Sequence, residues 1–230
     1  LDDLEMDGDV VTVRRSLSLK SDPWILDHAI GGKPVLPGVI GLEMMAAAAT
    51  MAMPGHRYAG AENVQYLSPV KLHGDAPTDV IVRATPIEGG VRTSLSSSRK
   101  TRTGRVIETD HFSADIRWEM SAHTPLPPMG MPDHPLSKEA IYKRFFHGPI
   151  FQVLNSTTAA TSDALLADGS VRHTSIAGGL LTIPLVLEAA FQASGLHRMM
   201  VDGVMALPQG IQSVAILGVV RDDEVLKLTV

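Results

Sequence analysis

The chain contains no cysteine. That excludes a disulfide framework, a thiolate nucleophile and any cysteine zinc site, and it fits a reducing compartment such as the cytoplasm. No segment has the length and purity of a membrane span or a signal peptide. Basic residues are spread among acidic ones at a net charge of -5, so the footprint of a nucleic-acid binder is missing. The glycine-rich pieces Gly31-Gly32-Lys33 and Gly178-Gly179 fit neither a phosphate loop nor a dinucleotide fingerprint, and there is no Gly-x-Ser-x-Gly elbow. Nucleotide cofactors and serine hydrolysis drop out. His56, His73, His111, His123, His134, His173 and His197 show no ligand spacing, so no metal is expected. What these absences leave is a soluble protein directed at small molecules.

What is present is ample core: 44% of the 230 residues are hydrophobic, enough for one large domain or two modest ones. Residues 10–20 alternate as a half-buried strand closed by Asp22-Pro23. From Gly38 to Met53 the sequence is almost continuously apolar and rich in Ala, Met and Leu, which predicts a buried helix stopped by Pro54-Gly55. Four alternating stretches follow, near 62–72, 79–87, 91–98 and 106–118, in the manner of an antiparallel meander. The proline-rich run from His123 to Pro132 has the composition of a linker. After it the order begins again: a short helix from Lys138, strands near 150–160 and 163–173, an apolar helix over 184–199, then strands near 209–220 and 224–230. Gly41-Leu42-Glu43-Met44-Met45-Ala46-Ala47 aligns with Val186-Leu187-Glu188-Ala189-Ala190-Phe191-Gln192. The expectation is a duplicated α+β unit in which each antiparallel sheet wraps one central helix. Its parts would be 1–122, a linker at 123–137, and 138–230. The chain begins without methionine and stops in a strand-like run, so it reads as a piece excised from a longer polypeptide, its second copy lacking its last strands.

Three places carry candidate chemistry. His28 precedes a Gly/Pro turn, Gly31 to Gly38, that opens onto the first helix. Pro37 suits the first helical position there. Gly38 allows close approach and offers a backbone N-H at the positive end of the helix dipole. Glu43 and Glu188 each lie in an otherwise apolar helix, where a carboxyl group must pair or keep its proton. Gln192 follows Glu188 by four residues and shares its face. The cluster Phe146-His147-Gly148-Pro149-Ile150-Phe151-Gln152 reads as a turn leading into a strand. Against these stand plainer readings: a structural histidine, solvated glutamates, and glycines that only shape a loop.

Taken together, His28-x-x-x-Gly32-x-x-x-x-Pro37, the His147-Gly148-Pro149-Ile150-Phe151-Gln152 cluster, the helix carrying Glu188 and Gln192, and Leu207-Pro208-Gln209-Gly210-Ile211 resemble the dehydratase domain of polyketide synthases. The resemblance implies a double hotdog fold. It implies a catalytic pair of His28 as base and Glu188 as acid, Gln192 steadying the acid, and an acyl tunnel in which Gly148 and Pro149 meet substrate. The loop from Gly32 to Gly38 also resembles that of single-hotdog hydroxyacyl dehydratases, which assigns the thioester carbonyl to Gly38, with Pro37 beside it. Two departures stand out: aspartate is usual where this chain has Glu188, and an aromatic residue is usual where it has His147. The second half lacks a histidine turn equivalent to that of His28, so one active site is expected.

The resemblance further implies dehydration of a 3-hydroxyacyl thioester, by a hydro-lyase without metal or redox cofactor. The substrate would be held on the phosphopantetheine arm of an acyl carrier protein. Neighbouring synthase domains and a second copy of the chain would be its other partners, with neither nucleic acid nor membrane. Two alternatives remain open from the residues: a product-template-like cyclase or double-bond isomerase using the same base, and a non-catalytic dehydratase-like scaffold.

Overall fold

The computed structural model describes residues 3–74, 76–100, 103–121, 130–176 and 180–230. In chain order the elements begin with β1 (Asp3–Asp7), β2 (Val10–Leu17), a 3-10 turn (Pro23–Asp27), β3 (Ala29–Ile30), β4 (Lys33–Pro34) and α1 (Gly38–Ala52). Next come β5 (Gly60–Tyr66), β6 (Thr78–Ile87), β7 (Gly90–Lys100) and β8 (Val106–Arg117). Then follow β9 (Asp133–Ser137), α2 (Lys138–Tyr142), a second 3-10 turn (Pro149–Phe151), β10 (Leu154–Ala160), β11 (Leu165–Ser170) and a third 3-10 turn (His173–Ser175). The chain closes with α3 (Pro184–Asp202), β12 (Gly210–Ala215) and β13 (Val225–Thr229). The chain divides into two compact units. One comprises Leu1–Ala122 with Gln209–Gly218, the other His123–Pro208 with Val219–Val230.

The first unit is an antiparallel sheet in the order β1-β2-β6-β7-β8-β5-β12, packed on α1. Alternation builds its inner face: Val91, Thr93 and Leu95 on β7 and Phe112, Ala114 and Ile116 on β8 are buried, while their sequence neighbours mostly point away. On α1, Val39, Leu42, Met45, Ala46 and Ala49 are fully enclosed and Ile40 and Glu43 nearly so. Burial on most sides is why the helix needs no polar stripe. The second unit is a four-stranded antiparallel sheet, β13-β11-β10-β9, against which α3 packs Leu185, Ala189, Ala193 and Leu196. The α+β reading with one long helix per sheet therefore holds in each unit.

Several boundaries differ from the sequence reading. The part of the expected linker at Asp133–Ser137 is strand β9; its pattern was silent because its side chains are largely exposed. Hydrogen bonds hold it instead: the Thr157 hydroxyl donates to the His134 carbonyl and accepts from the Leu136 N-H. Residues 123–129 of that linker lie outside the described residues. The strand expected to start near 150 begins at Leu154, because Pro149 opens a 3-10 turn first. Gln209–Gly218 groups with the first unit, not the second, since β12 pairs with β5 and the Tyr66 N-H donates to the Gln209 carbonyl. Among the described residues no helix is long and apolar enough to cross a membrane.

Candidate active site

In the first unit His28 follows the turn Pro23–Asp27. The turn rests on Asp22, which is buried, pairs with Arg15, and accepts from the Ser18 N-H and the Ser21 hydroxyl. The chain then folds back through β3 and β4. Gly31 and Gly32 at their junction have φ of 58° and 74°, the left-handed conformations that a tight two-residue hairpin requires. This return brings Val35 alongside His28: the Val35 N-H donates to the His28 carbonyl at 3.0 Å, and His28 Nδ1 lies 2.9 Å from the Val35 carbonyl oxygen. A carbonyl can only accept, so Nδ1 carries the proton and Nε2 bears the lone pair of the neutral ring. His28 is 9% exposed. The hairpin thus fixes which nitrogen can act as a base.

Pro37 is the N-cap of α1 with extended ψ of 136°, one position earlier than expected, and Gly38 is the first helical residue. The Pro37 carbonyl accepts from the Ile40 and Gly41 N-H groups at 3.0 Å each. The N-H of Gly38 belongs to the first turn, where helical N-H groups have no partner within the helix. Gly38 also has a packing reason: a Cβ there would lie 2.6 Å from Cε1 of Tyr66. Glu43, further along α1, is buried; with burial as the larger cause, its charge helps push the Tyr58 hydroxyl well above the ordinary tyrosine range.

In the second unit α3 starts at Pro184 after Ile183, which has φ of 45°. A β-branched residue in that region costs on the order of 1–3 kcal/mol. It is held by its own carbonyl, which accepts from the Val186 N-H at 3.0 Å and the Leu187 N-H at 3.4 Å. One turn on, Glu188 is 5% exposed and Gln192 is 2% exposed. The Leu154 N-H donates to the Tyr142 hydroxyl at 2.8 Å, and that hydroxyl donates to Gln192 Oε1 at 2.6 Å. Gln192 Nε2 donates to the Phe151 carbonyl and to Glu188 Oε1, both at 2.8 Å. Backbone groups with fixed roles stand at both ends of this chain, so its direction is settled: Gln192 presents N-H to Glu188, and Oε1 is an acceptor. The C=O oxygen of a carboxyl group accepts better than its O–H oxygen, so the Gln192 bond favours a proton on Oε2. His147 Nε2 lies 3.1 Å from the same Oε1. Burial, and behind it the Glu188 charge, raises the Tyr142 hydroxyl far above its usual range, so it stays a donor at any working pH.

Comparison with known proteins adds to this geometry. Residues 3–98 match the family model described as the polyketide synthase dehydratase domain. One component of the polyunsaturated fatty acid synthase of Thraustochytrium is 24% identical over 219 residues, which is 90% of this chain and 8% of that protein. The pikromycin polyketide synthase component PikAII of Streptomyces venezuelae is 27% identical over 224 residues, 84% of this chain and 5% of that protein. The chain thus spans less than a tenth of the length of these relatives, which are large synthases. Among solved structures, a trans-AT polyketide synthase dehydratase domain from Brevibacillus brevis superposes with a TM-score of 0.76 at 22% identity, covering 91% of this chain and 78% of that one. The dehydratase domain of PpsC from Mycobacterium tuberculosis gives 0.76 at 19%, covering 94% and 80%. The fold is the double hotdog of those dehydratase domains.

Of the residues that the sequence pointed to, the dehydratase fold places His28, Pro37 and Gly38 in the first unit and Gly148, Pro149, Glu188 and Gln192 in the second. Within the second unit Glu188 and Gln192 meet, as their spacing implied. Gly148 and Pro149 build the 3-10 turn over which the Gly148 carbonyl accepts from the Phe151 N-H at 3.0 Å. That turn aims the Phe151 carbonyl at Gln192. Two residues were missed. Tyr142 had no signal, since its partners are distant in sequence. His147 did have one, a polar residue where the resemblance implies an aromatic.

Proposed function

We propose that the chain removes water from a 3-hydroxyacyl thioester carried on the phosphopantetheine arm of an acyl carrier protein, giving the 2-enoyl thioester. His28 Nε2 takes the proton from C2, the C2–H electron pair becomes the C2–C3 double bond, and the C3–O bond breaks as Glu188 delivers the proton of its Oε2 to the departing hydroxyl. The Gly38 N-H, at the positive end of α1, stabilises the negative charge that builds on the thioester oxygen. One water leaves for each alkene formed, and His28 returns its proton to solvent as Glu188 regains one. The chemistry asks only for a base, an acid and an oxyanion donor.

The observation that carries this reading is the preset imidazole: the Val35 carbonyl holds Nδ1–H, which makes Nε2 the basic nitrogen of the neutral ring. The directed Gln192 bond to Glu188 and the family match over residues 3–98 support it. In this reading the domain works in the cytoplasm beside the other domains of a synthase, as a homodimer that receives the carrier protein.

Incubating the purified chain with 3-hydroxyacyl N-acetylcysteamine thioesters and following product mass tests the proposal. The expected product is lighter by one water. His28→Ala and Glu188→Gln should each lower kcat by roughly 10²–10⁴-fold. The double variant should be no slower than the worse single one, as for groups that act as a unit. Near-wild-type turnover by either variant sinks the mechanism. A product of unchanged mass would make the protein an isomerase or cyclase, and no turnover with retained thioester binding would make it a scaffold.

A further inference from the structure

We propose that His147 is a positioning residue for the acid: its Nε2–H is the second donor on Glu188 Oε1, and together with Gln192 it commits the acid's proton to Oε2. The inference deepens the dehydration reading and rests on it for the acid's role. It starts from the direction of the Gln192 bonds, which makes Glu188 Oε1 an acceptor. The C=O oxygen of a carboxyl group is a better acceptor than its O–H oxygen, so the Gln192 bond marks Oε1 as the C=O oxygen, which offers its neighbour only lone pairs. The imidazole nitrogen 3.1 Å away therefore meets it as a donor. With two N-H groups on Oε1, the carboxyl group has one remaining oxygen on which to carry a proton.

The surroundings of His147 suit a fixed ring. Its side chain is 5% exposed and that of Glu188 7%. Phe146 stacks on the imidazole with centroids 4.1 Å apart and planes 27° from parallel, and the Phe145 ring lies 5.5 Å away. The backbone is held as well: Gln152 Nε2 donates to the His147 carbonyl at 3.0 Å, and the turn Pro149–Phe151 follows directly. A flexible donor would lose entropy each time it met Oε1, whereas this one is already in place. The long, flexible arm of Glu188 also needs restraint to keep Oε2 within reach of one substrate atom.

The test separates donor from ring. His147→Phe keeps an aromatic ring and removes the N-H; His147→Gln loses the ring and restores an N-H donor. The expected result is a fall in kcat of roughly ten- to hundredfold for His147→Phe with KM within about twofold, and recovery of most of that loss in His147→Gln. The opposite ranking, Phe active and Gln inactive, would make His147 a packing residue and overturn the proposal. A second measurement uses the unmodified chain, so it stands even if a variant misfolds: 15N NMR of the imidazole at neutral pH. A protonated Nε2 whose signal shifts in Glu188→Gln is expected. A ring with its proton on Nδ1 alone overturns the proposal. The two readings fail separately: a chain that dehydrates no thioester but shows the Nε2–H signal coupled to Glu188 loses the function and keeps the pair. Dehydration unaffected by His147→Phe keeps the function and loses the positioning role.

Discussion

The Tyr142 hydroxyl donates to Gln192 Oε1 at 2.6 Å and so decides which end of that amide Glu188 sees. The bond joins a short helix to a long one across fifty residues of sequence. If it is broken at the amide, three groups lose a partner at once. Gln192→Leu leaves the Tyr142 hydroxyl, the Phe151 carbonyl and Glu188 Oε1 to find other partners in a buried place. Stability should drop by about 3 kcal/mol, and kcat by roughly a hundredfold. Tyr142→Phe should cost about 1–3 kcal/mol but only a few-fold in kcat, because the Phe151 carbonyl still anchors Nε2. Thermal unfolding and steady-state kinetics on both variants check this; equal kinetic losses would contradict the ordering.

Glu188→Asp withdraws the carboxyl group by one methylene from Gln192 and His147, which stand 2.8 and 3.1 Å from Oε1. The fold should persist, as the change is small and the helix continues on both sides. Turnover should fall on the order of a hundredfold, since a shift of about 1 Å has that cost. Kinetics beside a circular dichroism melt measure it; undiminished turnover would mean that the donor's reach does not matter here.

Gly38→Ala places a methyl carbon 2.6 Å from Tyr66 Cε1 and 3.0 Å from two further ring carbons. Overpacking of this kind costs about 1–3 kcal/mol. If the conflict is steric, the double variant Gly38→Ala, Tyr66→Leu should lose less than the two single losses added together, a coupling readable from urea unfolding. Strict additivity would show that the ring is not what demands glycine at this position.

The His111 imidazole is pulled below its ordinary value of 6.5, mainly by burial, with a bond to the Ser68 carbonyl and the charge of Asp110 pulling the other way. Its ring nitrogens are engaged by Ser68 and Ser97. A histidine that resists protonation when folded adds stability above its unfolded pKa and loses it as pH falls. The unfolded chain takes its proton first, near 6.5, so the loss begins there and is complete below the depressed folded value. Urea unfolding at pH about 7.5 and about 5.5 should show this decline. In His111→Gln the decline should be shallower; an identical slope would assign it to other groups.

The central helices were readable because composition alone constrains them: the Ala- and Met-rich run of α1 is too apolar for any place but a core, and Pro54-Gly55 marks its end. Glu188 and Gln192 were readable for a local reason, since four residues are one helical turn and the bond between them follows from that spacing. The partners of Tyr142 were not, because nothing in a sequence couples positions whose only link is a distant hydrogen bond. Strand β9 escaped for a different cause: backbone groups and the Thr157 hydroxyl hold it, while its own exposed side chains carry no period-two signal. For His28 the turn was legible but not the tautomer, which depends on how far the Gly31-Gly32 hairpin brings Val35 back.

The pairing of Gly60–Tyr66 with Gly210–Ala215 has a consequence for biosynthesis. A ribosome that has translated no further than residue 122 has made a sheet with one rim bare, its amide groups open to any passing strand. The seal arrives only after the helix bearing Glu188 has been translated. Expressing residues 1–122 alone would freeze the molecule at that vulnerable moment, and clumping of such a fragment is what the interleaved chain path leads one to expect.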